Sequence, residues 1–402
     1  MADSMAGNNQ QPQQNRKILA TGCFAHFIHD GFSDMLYVLL PIWQTQFALS
    51  FAEIGFLKTL FSGTLASFQV PAGLLANRVG AAKLLLIGTI LTGCSVMLFG
   101  WATTPALLGC LLILGGLGES VQHPLSSALI SNAYSDTKSR RVALSIFNVS
   151  GDVGKLVLPA TAALLIAQLK WQSATQLLGL FGVVVAVVIF TINRSYHLSD
   201  VVVEDQVGKK KANLSSLKWS DNQTFWSLST IGIIDSATRM GFLTFFPFLL
   251  RDKGAEITTI GLALSLIFAG GAAGKFVCGI LATRLGILQT VIISEIMTAI
   301  AILSIINLSL SSVLLIAPIL GLALNGTSSV LYGSVPELVS EENRNKAFAV
   351  FYTATIGSGA IAPFIYGLCS DFVGVKMTVV AISIIVLITI PLTMSLRGKL
   401  AH

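Results

Sequence analysis

The residues of this chain that could do chemistry are ionisable groups set inside long apolar runs. His26, His29, Asp30 and Asp34 fall in one such run. On a helix, His26, Asp30 and Asp34 share one face, with His29 beside them. Glu119 and His123 stand one helical turn apart in another run, Asp152 and Lys155 in a third, and Asp235 and Arg239 in a fourth. Lys275 and Glu295 occupy two further runs. An ionisable group at mid-membrane depth is costly and usually faces a cavity or a partner. Each of these residues therefore needs either a function or a neutralising neighbour.

A carboxyl group in such a place can change protonation as water access alternates. Asp30, Asp34, Glu119 and His123 are accordingly candidates for proton coupling. The alternatives are a structural ion pair of the two aspartates with Lys155 or Arg239, and packing hydrogen bonds for Glu119 and His123. His26, His29 and Asp30 also resemble a ligand set for a divalent transition metal. The alternative is a polar face lining water, since one helix rarely supplies a full ligand sphere. No metal or other cofactor is expected.

Lys155, Arg239 and Lys275 suit an anionic substrate: Arg offers a bidentate fork and Lys a point charge. The alternative is neutralisation by Asp152, Asp235 and the two aspartates near the start of the chain. Lys275 has no acid within one turn, so it needs a tertiary partner or a ligand. His26, His29, Gln122, Asn148, Asn325 and Tyr352 complete the candidate substrate residues, although buried amides also join membrane helices. Glu295 is expected to be structural. The chain has no GxxxxGK[ST] loop and no nucleophile–base set at a defined spacing, so no enzyme activity is expected.

The elements that must position these groups are membrane helices. Hydrophobic types make up 53% and charged types 11% of the 402 residues, whereas soluble domains carry about 25% charged residues. Apolar runs of roughly 20 residues, each long enough to cross a bilayer, follow one another almost to the end. Twelve helices are predicted, near 17–46, 53–76, 82–102, 106–131, 141–167, 173–193, 223–250, 258–282, 287–307, 312–334, 346–369 and 375–396. They give an all-α membrane protein of two six-helix bundles, 17–193 and 223–397. Residues 1–16 form a disordered tail, 194–222 a polar linker and 398–402 a short second tail. No cleaved signal peptide is expected at the start, where the basic segment is missing.

Placing both termini in the cytoplasm puts Arg16, Arg78, Lys83, Arg140, Arg141, Lys209, Lys210, Lys211, Arg284, Arg344 and Arg397 on the inner side. Only Lys58, Lys170, Arg251, Lys253 and Lys376 then lie towards the outside. That bias fixes the orientation. It also explains the net charge of +6 without nucleic acid, which would need one basic patch. The five cysteines show no paired spacing and are expected to be small core residues.

The two halves repeat. Gly73-Leu-Leu-Ala-Asn77-Arg78-Val-Gly80 matches Gly279-Ile-Leu-Ala-Thr-Arg284-Leu-Gly286, 206 positions later (279 − 73). Arg140, Ala143, Phe147 and Pro159 match Arg344, Ala347, Phe351 and Pro363. A duplicated six-helix unit is one plan of secondary transporters, with the substrate site at the repeat interface.

The Gly73–Gly80 segment, followed by Lys83, resembles the helix 2–3 signature of the major facilitator superfamily, with Asn77 where that signature has an acid. His26-Phe-Ile-His-Asp30, Gln122-His123-Pro124-Leu-Ser-Ser127 and Ser145-Ile-Phe-Asn-Val-Ser-Gly-Asp152 are similar to the fosmidomycin-resistance-type efflux group. Gly154 and Pro159 fit the antiporter signature of helix 5, whereas Leu158 stands where a glycine is expected.

The resemblance implies a proton-coupled secondary transporter of a small anionic solute, working by alternating access as a monomer in a bacterial inner membrane, with export favoured. Gly73, Asn77, Arg78, Gly80, Gly279 and Arg284 would form gating loops, the glycines allowing tight turns and close helix approach. Import of an organic acid or metal chelate, divalent-metal transport and a non-transporting receptor are the competing readings.

Overall fold

The computed structural model describes residues 2–194, 223–339 and 344–397, with side chains from Pro12 onward except those of Asn193 and Asn345. Most of the expected linker, including Lys209–Lys211, and the expected tail 398–402 lie outside the described residues.

All regular structure among the described residues is helical. The helices are α1 (Ala2–Phe47), α2 (Phe51–Val79), α3 (Ala81–Phe99), α4 (Pro105–Ser120), α5 (Gln122–Ala133), α6 (Thr137–Gln168) and α7 (Trp171–Arg194). They continue with α8 (Gln223–Asp252), α9 (Ile257–Leu285), α10 (Ile287–Asn307), α11 (Leu310–Ser334), α12 (Arg344–Leu387) and α13 (Thr389–Met394). Pro105–Ala133 runs as a single apolar passage through α4 and α5. Gly374, at φ 82° and ψ 158°, divides α12 into two, the second part continuing into α13. The described chain thus makes twelve helical passages.

α1 already begins at Ala2, where composition had implied a disordered tail; Ala, Met and Gln are adequate helix formers. Polar starts follow capping rules. The Thr104 side chain accepts from Leu107 N at 3.2 Å, and Asp136 accepts from Ser139 N at 2.8 Å, as helix N-caps do.

Nine of the described helices are long and apolar enough to cross a membrane. α1 and α2 have the length but are diluted by polar groups, His26 to Asp34 in α1 and Glu53, Lys58 and Arg78 in α2. Large apolar side chains such as Leu315 and Phe372 are 78% and 86% exposed, which suits contact with lipid rather than water.

The turns after α2 and α9 carry the repeated glycines. Gly80 has φ 94° and Gly286 φ 86°, a region in which residues with a Cβ are strained. Gly73 and Gly279 behave otherwise. A Cβ at either would meet nothing within 4 Å, so the close helix approach expected of them is absent here. The cysteines are also not uniformly core: Cys278 is buried, but Cys110 is exposed.

The chain forms two compact units. One contains the described parts of Met1–Leu36 and Gly63–Lys209, the other those of Tyr37–Ser62 and Lys210–His402. Specific bonds hold Tyr37–Ser62 in the second unit. Asp371 accepts from Phe51 N at 2.8 Å and Ala52 N at 3.0 Å, closing the start of α2. Arg251 donates to Pro41 O at 3.1 Å and Gln44 Oε1 at 2.6 Å. A division at the linker alone does not contain this attachment, which depends on contacts more than 200 positions apart.

Candidate functional site

Asp30 sits at the centre of a buried charged cluster in the first unit. α1 supplies His26, Asp30 and Asp34, which are 4%, 8% and 8% exposed. α5 supplies His123 and α6 supplies Lys155. Asp30 Oδ2 lies 3.1 Å from His26 Nε2 and 3.3 Å from Lys155 Nζ. Its other oxygen lies 3.4 Å from His123 Nε2. Lys155 also reaches Asp34 at 3.8 Å, and Asp152 adds to the negative field on the ammonium.

Glycines on α6 make this approach possible. A Cβ at Gly151 would overlap the His26 ring, and one at Gly154 would strike the Phe27 carbonyl. Phe147, one turn before Gly151, stacks on His26 with centroids 4.2 Å apart.

The hydrogen bonds constrain the protons. His26 Nδ1 lies 2.8 Å from the Phe147 carbonyl oxygen. A carbonyl only accepts, so Nδ1 carries a hydrogen. The opposite nitrogen then faces a carboxylate at 3.1 Å, and that contact is a hydrogen bond only if a further proton lies between His26 Nε2 and Asp30.

The other sequence candidates fall in several places. His29 Nε2 is bonded to Thr89 Oγ1 at 3.1 Å, and Thr89 donates to Leu85 O at 2.9 Å. His29 must donate to Thr89, so it is pinned to α3. The set of possible metal ligands is consequently His26, Asp30 and His123, whose ligand atoms lie within 4.8 Å of one another, not His26, His29 and Asp30. The Lys155 ammonium beside the same carboxylate fills the role a cation would take.

His123 turns to Asp30; Glu119 lies buried at 3% exposure near the end of α4. Gln122 is wholly buried, and neither of its amide atoms has a hydrogen bond. Asn148 is exposed.

In the second unit, Asp235 is 5% exposed and Arg239 partly buried on α8. Lys275 is exposed on α9, in a groove of about 450 Å³ that it shares with Gly279, Thr283, Ser329 and Glu337. Asn325 donates to Gly321 O at 3.2 Å. The ring of Tyr352 lies beside Tyr332 at 5.9 Å. Arg78, Asn77 and Arg284 are exposed at helix ends.

One buried cation was missed. Lys58 is 2% exposed, and its Nζ lies 4.5 Å from the Tyr37 ring and 5.4 Å from that of Phe61. Its signal was the apolar sequence on both sides, Phe56-Leu57 and Leu60-Phe61, which marks a helix interior rather than a loop.

Buried acids and a lysine inside apolar helical passages need a functional or structural partner, and the sequence also matches a known family. The profile described as Major Facilitator Superfamily matches residues 22–234 and 228–400. The chain belongs to the Major Facilitator Superfamily.

Among curated relatives of this superfamily, a probable 4-methylmuconolactone transporter of Cupriavidus pinatubonensis is 24% identical over 359 residues, 87% of this chain and 83% of that protein. The fosmidomycin resistance protein of Escherichia coli is 25% identical over 280 residues, covering 67% and 66% of the two chains. The crystal structure of the nucleoside transporter NupG (D323A mutant) shares the fold, with a TM-score of 0.81 at 12% identity over 95% of this chain and 100% of that one. The protein is thus a multi-pass membrane transporter of this superfamily and not an enzyme.

Proposed function

We propose that this transporter couples protons to the movement of a small organic anion. The observation carrying the reading is the sharing of Lys155 between Asp30 at 3.3 Å and Asp34 at 3.8 Å. While both aspartates are ionised, they hold the ammonium. A proton added to Asp30 removes one negative charge and frees N–H donors of Lys155 for an incoming carboxylate or phosphonate. His26 and His123, both on Asp30, are the groups through which that proton arrives and leaves. Gln122 offers a buried amide, unbonded on both sides, to orient the solute.

Proton and anion then strengthen one another's binding, and the linkage is reciprocal. With both on the carrier together, an inward proton gradient drives the anion inwards. Export is the second reading, supported by the 25% identity to a fosmidomycin resistance protein. Both termini and the Lys209–Lys211 segment face the cytoplasm of a bacterial inner membrane in this reading, on the loop charge bias.

A proton count on purified protein tests it. Organic acids and phosphonates are screened for thermal stabilisation, and a stabilising compound is added to weakly buffered protein with a pH dye. Co-transport requires proton uptake on binding, absent in Asp30→Asn. Proton release would overturn co-transport in favour of exchange, and no proton change at all would overturn coupling.

A further inference from the structure

The second unit contains a separate buried acid that the Asp30 cluster does not use. Glu295 lies on α10 at 1% exposure, facing Asp235 and Arg239 of α8 and Thr327 of α11. Asp235 is 5% and Thr327 0% exposed. Glu295 is thus a buried acid with charged and polar neighbours on other helices.

Charge counting gives the first argument. Two carboxylates share this region with one guanidinium, and an unbalanced buried charge is costly. One added proton restores neutrality. The second argument comes from hydrogen bonds. Glu295 Oε1 is buried with no hydrogen-bond partner, which is tolerable for a neutral acid and expensive for an ionised oxygen.

The third argument is the hydroxyl chain beside it. Ser294 Oγ lies 3.1 Å from Val291 O, which can only accept, and 2.6 Å from Thr327 Oγ1. With Ser294 donating to Val291, Thr327 donates to Ser294 and its oxygen is left to accept from a protonated Glu295. With Glu295 ionised, both hydroxyls rotate, so that Ser294 donates to Thr327 and Thr327 to the carboxylate. Either protonation state therefore has a complete hydroxyl arrangement.

We propose that Glu295 is a second proton-binding site of the transporter, carrying a proton as the neutral acid near Asp235 and Arg239, and able to exchange it through reversal of the Thr327–Ser294 chain. The inference extends the proton-coupled reading above but stands on different residues.

Infrared spectroscopy of the purified full-length protein in lipid nanodiscs tests it. A carbonyl band of a buried protonated carboxylic acid is expected at neutral pH and should disappear reversibly as the pH is raised while the protein stays folded. Glu295→Gln should remove that band, whereas Asp30→Asn and Glu119→Gln should retain it. If Glu295→Gln is unstable, wild-type protein carrying 13C-glutamate must show the band shifted, and the shifted band must persist in Glu119→Gln.

A band that survives Glu295→Gln, that fails to shift with labelled glutamate, or that persists until the protein unfolds would overturn the proposal. Loss of coupling in Asp30→Asn with the Glu295 band intact concerns the Asp30 site alone, so the two readings fail separately.

Discussion

Lys155 of α6 and Asp30 of α1 form a 3.3 Å ion pair across two helices, and the same ammonium extends to Asp34 at 3.8 Å. The pair sets the first expectation. Lys155→Met leaves two buried carboxylates with no nearby ammonium. Breaking a fully buried pair costs about 3–5 kcal/mol. The Lys155 side chain is 33% exposed, so solvent screening reduces the expected loss to about 1–2 kcal/mol. The double variant Asp30→Asn/Lys155→Met should recover most of it, measured by thermal unfolding of purified protein. Equal losses in the single and double variants would refute a stabilising pair.

Gly151→Ala should disturb the site without removing any charge. Its new methyl group would displace the His26 ring and break the 2.8 Å bond to Phe147 O. The pH dependence of anion binding should shift, while the helical content stays unchanged by circular dichroism. An unaltered pH profile in a folded variant would show that the orientation of His26 is immaterial.

Much of this site was legible in the sequence. A four-residue period put His26, Asp30 and Asp34 on one helix face, and Lys155 was a named candidate partner for the acids. The tertiary choices were not legible. Nothing in the spacing of Glu119 and His123 shows that His123 meets Asp30, because that depends on how α5 packs on α1. Lys58 was counted with the loop charges, since a positive charge reads as a loop signal unless aromatic rings enclose it. The attachment of Phe51 to Asp371, 320 positions away, has no local trace at all.

The two glycines of the α2 end should respond in opposite ways. Gly73 is helical with open space around its Cα, so Gly73→Ala should stabilise by about 0.5–1 kcal/mol. Gly80 has φ 94°, and Gly80→Ala should cost about 1–2 kcal/mol. Thermal unfolding of the two variants decides, and equal effects would contradict the distinct backbone roles.

Gln122→Leu separates a binding amide from a structural one. A buried amide with neither atom bonded costs about 1–3 kcal/mol, so the variant should be at least as stable as the parent. Anion binding should weaken about tenfold, the value of roughly one hydrogen bond to a charged group. A marked loss of stability with unchanged affinity would make Gln122 structural.

The coupling claim is tested most directly in proteoliposomes containing an anion selected by thermal stabilisation. An imposed pH gradient, acid outside, should drive accumulation of the labelled anion inside the vesicles by wild-type protein, and a protonophore should abolish it. Asp30→Asn should still exchange anion for anion at equal concentrations but should not accumulate it. Full gradient-driven accumulation by Asp30→Asn would contradict proton coupling at the Asp30–Lys155 pair.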